Sequence, residues 1–268
     1  CTQTNINPLC KIYREFCKMV VNKRVNTVIS PSKFALDLYK ANGFFKNSDT
    51  VVLPHGIDLD VEKTVDRANN PCNLTKNILN ISYMGGLTKA KGVHILIDAF
   101  KRIRNKHVRL SVVGSGVCEN ELKRMAKDDS RIIFQGKFPN TEMRQFYQNS
   151  DIVVVPSIWY DVRPNVIVEA FRDGVPVIGA EIGGIPELIS VNQTGFLFKP
   201  RDTEDLLRVL ELAISKPQVL KKMRKNCLEF VKQFQMEKYL DKLVEIYEQT
   251  IKRNTVATRS YHKSIKHN

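Results

Sequence analysis

Asp161 and Glu169 are the two carboxylates whose setting points to chemistry. They bracket the segment Asp161-Val162-Arg163-Pro164-Asn165-Val166-Ile167-Val168-Glu169, which follows the apolar run Ile152-Val153-Val154-Val155. A short apolar run of this kind reads as a buried strand. Pro164 suits the first position of a helix, where its missing N–H costs nothing. Asp161 is therefore expected on the loop after a strand. Glu169 is expected inside the next helix, roughly 7–8 Å along the axis from its start. Free N–H groups at a helix start attract phosphate, so a diphosphate docked there would have one acceptor near Asp161 and another near Glu169. That arrangement suits a sugar diphosphate with hydroxyls to bind at both ends. Periodicity alone gives a plainer account. Glu169 shares a helix face with Asn165 and Arg172, opposite Ile167 and Ala170, and reads as a solvated acid. On the same account Asp161 is a turn or cap residue, and Trp159 is core as readily as a ligand platform.

Three further turns carry glycine directly after a strand-like run: Met84-Gly85-Gly86, Val113-Gly114-Ser115-Gly116 and Phe134-Gln135-Gly136. A dinucleotide fingerprint needs G-x-G-x-x-G after the first strand and an acid about 20 residues on. Gly114-Ser115-Gly116 is followed by Val117, Cys118 and Glu119, so the third glycine is absent. Taken singly, glycine after a strand is ordinary turn geometry.

The elements that must hold these residues alternate between short apolar runs and longer helical periods, the pattern of βαβ units and a parallel sheet. Strands are predicted at Ile81–Met84, Arg109–Val113, Ile132–Phe134, Ile152–Val155, Val175–Ile178 and Gly195–Phe198. The helices between them fall near Val93–Arg104, Glu119–Lys127, Thr141–Gln148, Asn165–Arg172, Pro186–Ile189 and Glu204–Ile214. That is enough for one doubly wound domain, whose ligands bind outside the carboxyl ends of the strands. A shorter series precedes it: a helix around Leu9–Val21, a strand Thr27–Ile29, a helix opened by Pro31-Ser32 and closed by Asn42-Gly43, and a strand Thr50–Leu53. Between Asp60 and Lys76 the pattern fades into polar residues, read as a linker over 61–76. Two amphipathic helices, Gln218–Phe234 and Glu237–Ile251, close the chain. The domains are thus expected at 1–60, 77–234 and 235–268, the last a helix with a basic tail.

Composition narrows the class. The chain has 268 residues, of which 43% are hydrophobic, enough for a real core. No apolar run approaches the ~20 residues of a membrane span. Lys11, Arg14 and Lys18 interrupt any leader-like stretch near the start, and the opening at Cys1 suggests that something upstream is missing. The six cysteines form no C-x-x-C pair and have no matching His spacing, so neither a zinc site nor a disulfide framework is expected. A reducing, cytoplasmic compartment follows as the plain reading. The formal charge is +14, and the segment 252–268 contributes five basic residues and no acid. Such a balance attracts phosphates. The basic residues lack interleaved aromatics and any nucleic-acid motif, so nucleic acid is not the expected partner. Basic residues spread over a solvated face are the plain account. The tail is expected to be disordered alone and to give peripheral affinity for an anionic membrane surface, the inner face.

The ordered set Asp161-x7-Glu169-Ala170, Gly174-Val175-Pro176-Val177-Ile178 and Gly183-Gly184-Ile185-Pro186-Glu187 resembles family 4 of the retaining glycosyltransferases, which have the two-domain GT-B fold. Upstream, Ser30-Pro31-Ser32-Lys33 and Leu53-Pro54-His55-Gly56-Ile57-Asp58 look like the end of the family's first domain, and Tyr83-Met84-Gly85-Gly86-Leu87 with Lys91-Gly92 like its donor phosphate loop. The resemblance covers about Ser30 to Leu210. It implies an α/β chain of GT-B type: a Rossmann-like doubly wound donor domain, plus part of a second Rossmann-like domain that binds the acceptor. It implies transfer of a sugar from a nucleoside diphosphate donor to a hydroxyl acceptor, glycan or lipid-linked, with retention at the anomeric carbon. No protein nucleophile, metal or other cofactor is expected.

Carried over by position, Glu169 would accept from the ribose, Asp161 would meet sugar hydroxyls, and Lys91 would meet the diphosphate beside Gly85 and Gly86. Backbone N–H groups of Asn165 and Val166 would assist Lys91. Gln135, Gly136 and Lys137 would lie near the base, and Gly114 would let the backbone approach the ligand. Gly183 and Gly184 serve close packing at least as readily as ligand contact. Three positions depart from the pattern: Asp161 where Glu is usual, Gly86 where many members carry Arg, and His55 where Asn is common. Because only the end of the first domain is recognisable, the chain is expected to be a fragment or a truncated relative, inactive in transfer by itself. The alternative is a non-catalytic nucleotide-sugar-binding module, a pseudoenzyme or half of a split enzyme.

Overall fold

The computed structural model describes residues 8–59, 78–139 and 141–265, the last twelve in backbone only. The linker expected at 61–76 lies outside the described residues. The chain divides into two compact units, Cys1–Gly56 with Met236–Asn268, and Ile57–Gln235.

In the first unit, helix α1 (Pro8–Arg24) leads to strand β1 (Thr27–Ser30), helix α2 (Lys33–Ala41) and strand β2 (Asp49–Val52). The Ser-Pro-Ser turn starts α2 as its sequence predicts: Ser32 is the N-cap, and its Oγ accepts from Ala35 N at 3.2 Å. Gly43, at φ +84°, closes the helix in the left-handed region. The strands pair in parallel from Thr27↔Asp49 to Ser30↔Val52. Among the described residues of this unit few apolar side chains are buried, chiefly Ala35, Leu36 and Leu53. On α1 the apolar residues Leu9, Ile12, Tyr13, Phe16 and Met19 are all exposed. The C-terminal helix (Met236–Ile265) also belongs to this unit. It corrects the expectation of a disordered tail, since the helix continues well past Ile251. No proline or glycine interrupts it, and nothing else in that stretch forces a helix to stop.

The second unit carries strands β3 (Leu79–Met84), β4 (Val108–Val113), β5 (Ile132–Gly136), β6 (Ile152–Val155), β7 (Val177–Ala180) and β8 (Gly195–Phe198). They form one parallel sheet in the order β5-β4-β3-β6-β7-β8. Helices α3 (Val93–Arg102), α4 (Glu119–Ala126), α5 (Met143–Gln148), α6 (Asn165–Arg172), α7 (Ile185–Leu188), α8 (Thr203–Ser215) and α9 (Pro217–Phe230) connect and flank it, and Met236–Ile265 is α10. Every residue of β6 and β7 is buried, as expected for strands covered on both faces. β7 begins two residues later than the apolar run implied, because Pro176 has no N–H for a ladder. The helix predicted to Phe234 ends at Phe230 and continues as a 3₁₀ turn, Val231–Phe234.

This strand order runs outward from β3 in one direction and from β6 in the other. The two neighbours are paired from Ile81↔Ile152. Their following loops therefore part and leave a crevice at the carboxyl edge, the point at which such sheets bind ligands. Among the described residues, no helix is long and apolar enough to cross a membrane.

Candidate functional site

The crevice floor is built from the glycine turns after β3 and β4, with the Gly136 turn hydrogen-bonded beside them. Gly85 has φ +149° and Gly114 has φ +138°. A Cβ on Gly114 would lie 1.9 Å from the Gly85 carbonyl oxygen, so no larger residue fits there. The turns are laced by main-chain bonds: Gly85 N to Val113 O at 3.0 Å, Gly114 N to Gly136 O at 2.7 Å, and Leu87 N to Ser115 O at 2.9 Å. Above them opens a cleft of about 270 Å³ that Gly85, Gly86, Gly114, Lys137 and Glu169 help to line. Glycine at 114 is thus required by the neighbouring turn as well as lining the cleft.

Glu169 enters this cleft from α6, half-buried, while Ile167, Val168, Ala170 and Phe171 of the same helix pack into the core. Tyr147, buried on α5 with 1% exposure, donates its hydroxyl to Glu169 Oε2 at 2.5 Å. Burial and then the Glu169 charge push the Tyr147 phenol far up, so it stays protonated and remains a donor. Oε2 is thus held, and among the described residues no hydrogen bond reaches Oε1. Phe138 and Met143 supply the apolar wall. Tyr147, Phe138 and Met143 were not among the residues read as functional. Periodicity marks Tyr147 as an inward position of its helix but not which acid it meets.

A second polar group lies on the loop after β6. Lys91 Nζ donates to Asp161 Oδ1 at 2.5 Å, and the buried Ser157 hydroxyl donates to Asp161 Oδ2. Tyr83 links this group to the floor, giving its hydroxyl to Gly86 O at 2.8 Å. Burial first, then the Asp161 charge, raise the Tyr83 phenol well above its ordinary value. Neither Lys91 nor Asp161 lines the cleft that holds Glu169. Gly183 and Gly184 pack closely on the Asp161 loop: their added Cβ atoms would fall 2.5 Å from Asp161 O and 1.9 Å from Val162 O.

Helix α6 opens at Asn165, with Pro164 as its N-cap at φ −71°, ψ 113°. The proline stands one position earlier than its sequence predicts. Asn165 is exposed and Val166 half-buried, and their N–H groups belong to the set that any helix start leaves without intrahelical partners. Gln135 is exposed and Gly136 has φ +79°, and Lys137, not these two, lines the cleft. Arg163 lays its guanidinium over the Phe234 ring, 5.0 Å from the centroid, and burial lowers its pKa. Among the described residues, no group of three or more His, Cys, Asp and Glu could hold a metal ion.

Residues 79–215 match the family described as Glycosyl transferases group 1, and the chain belongs to that family. Its fold is that of the GT-B enzymes. The Anabaena protein Alr3699/HepE, in complex with UDP, superposes with a TM-score of 0.75 at 23% identity, covering 88% of this chain and 67% of the other. Lipopolysaccharide 1,2-N-acetylglucosaminetransferase of Salmonella typhimurium is 25% identical over 70% of this chain and 53% of its own length. Sulfoquinovosyl transferase SQD2 of Arabidopsis thaliana is 32% identical over 44% of this chain and 24% of its own. The chain spans about half or less of the length of these curated relatives.

Proposed function

We propose that the switch-point cleft binds the nucleotide part of a nucleoside diphosphate sugar, and that the whole protein is a retaining glycosyltransferase of family 4. It transfers the sugar to a hydroxyl acceptor, glycan or lipid-linked. The observation that carries this reading is the Glu169 carboxylate, lining the cleft beside the glycine turns after β3 and β4, with Oε2 held by Tyr147 and no hydrogen bond to Oε1 among the described residues. That oxygen accepts from the ribose hydroxyls. Lys91 and the N–H groups of Asn165 and Val166 take the diphosphate, and Lys137 lies at the base end. UDP bound to the Anabaena protein, and the transferase names of the Salmonella and Arabidopsis relatives, support the donor class and the reaction. Catalysis rests on positioning and on stabilising the departing diphosphate, with no metal or protein nucleophile taking part.

Calorimetric titration with UDP, GDP and NAD tests the site. The chain is expected to bind UDP or GDP and not NAD. Glu169→Gln weakens that binding by roughly 1.5–3 kcal/mol, the worth of a hydrogen bond to a charged group. Tight NAD binding, or an unaltered Glu169→Gln, overturns the reading. For the whole protein, NMR of the product reports whether the anomeric configuration of the donor is kept.

A further inference from the structure

Both oxygens of the Asp161 carboxylate are engaged within the protein, Oδ1 by Lys91 and Oδ2 by Ser157. The backbone beneath them has little freedom to release either. Ile158 N donates to Ala90 O at 2.9 Å, and Gly184 N donates to Asp161 O at 2.7 Å. A Cβ on Gly92 would lie 1.9 Å from Pro156 O, so the Lys91 turn is pressed directly against the Asp161 loop. The Asp161 side chain is 20% exposed and that of Lys91 is 38% exposed. The lysine is therefore the more open member of the pair. Its ammonium has three N–H donors, of which Asp161 takes one.

Resting on the nucleotide-sugar reading above, we propose that Asp161 is a positioning residue. It holds the Lys91 ammonium in place for the donor diphosphate. A free lysine keeps a flexible four-carbon stem, and ordering it before the ligand arrives lowers the entropy lost on binding. Asp161 also repels a diphosphate. With Lys91 and Ser157 in direct contact that repulsion is largely neutralised, so the ordering outweighs it.

The test titrates wild type, Asp161→Asn, Lys91→Met and the double variant with UDP and with UDP-glucose, and records Tm for each. GDP and GDP-glucose replace them if wild type prefers guanine. Asp161→Asn is expected to weaken UDP binding about five- to tenfold. In the Lys91→Met background Asp161→Asn adds nothing, a result that mere damage to the fold would not give. Three outcomes overturn the proposal: unchanged UDP affinity with loss of any advantage of UDP-glucose; tighter UDP binding; or a full Asp161→Asn effect in the absence of Lys91. Failure of wild type to bind any nucleoside diphosphate, with no response to Glu169→Gln, removes the functional reading itself and this assignment with it.

Discussion

Gly86 lies at the mouth of the cleft beside the Tyr83 hydroxyl, and a Cβ built on it meets nothing within 4 Å. Its φ is not in the left-handed region, unlike that of Gly85. A side chain is therefore tolerated there, and an arginine would add a planar guanidinium able to grip phosphate oxygens in pairs. Gly86→Arg is expected to tighten UDP binding about tenfold and to leave Tm nearly unchanged, as titration and thermal melts would show. Weaker binding would mean that the open space at Gly86 is needed by the ligand. At this scale the sequence carried much of the site. Glu169, Gly85, Gly86, Gly114 and Lys137 share one cleft. What spacing could not carry is who holds whom. Tyr147 meets Glu169 from 22 residues away and Lys91 meets Asp161 from 70. A one-dimensional pattern has no signal for contacts that arise only when the strands are ordered in a sheet.

Elements were legible where local chemistry and packing agree, as at β6, β8, α6 and the Ser32 cap. They were less so where a single side chain ties two elements together. Arg131, just before β5, grips Asp129 with two nitrogens, Nε to Oδ1 at 2.9 Å and Nη2 to Oδ2 at 2.6 Å. Its Nη1 donates to the carbonyls of Ile103 and Asn105, both at 2.8 Å, just past the end of α3. The guanidinium also lies 5.0 Å over the Phe100 ring. One residue thereby fastens the end of α3 to the start of β5, the strand that leads into Gly136 and Lys137. Hydrogen bonding to Arg131 holds the Asp129 carboxyl below its ordinary value. A carboxylate with a depressed folded pKa stabilises above its unfolded pKa, and that stabilisation is lost as pH falls through the folded value. Asp129→Asn should therefore lower Tm at pH 7. The gap to wild type should shrink as pH drops below about 4, the ordinary carboxylate range. A gap that is constant with pH in thermal melts would show that the charge on Asp129 is not what matters.

Across the whole molecule, burial is divided very unevenly between the two units. The unit Ile57–Gln235 holds the continuous core from Ile81 to Phe234, including Phe100, Phe171 and Phe198 at 1% exposure or less. The other unit buries Ala35, Leu36 and Leu53 and exposes Leu240, Val244, Tyr247 and Ile251 on its last helix. Apolar burial is the main favourable contribution to folding, so residues 57–235 carry what an independent domain needs. Every residue assigned to the site also lies within them, from Gly85 to Glu169, as does Phe230, whose ring packs edge-on against Phe171 of α6. Residues 57–235 expressed alone are accordingly expected to unfold in one cooperative transition and to bind UDP within about twofold of the 268-residue chain, the spread usual for independent parts. Urea melts and calorimetry on the two polypeptides decide it. Loss of cooperativity would show that the first unit contributes to the fold of the second. Cooperative unfolding with much weaker UDP binding would show that the nucleotide touches residues beyond those named.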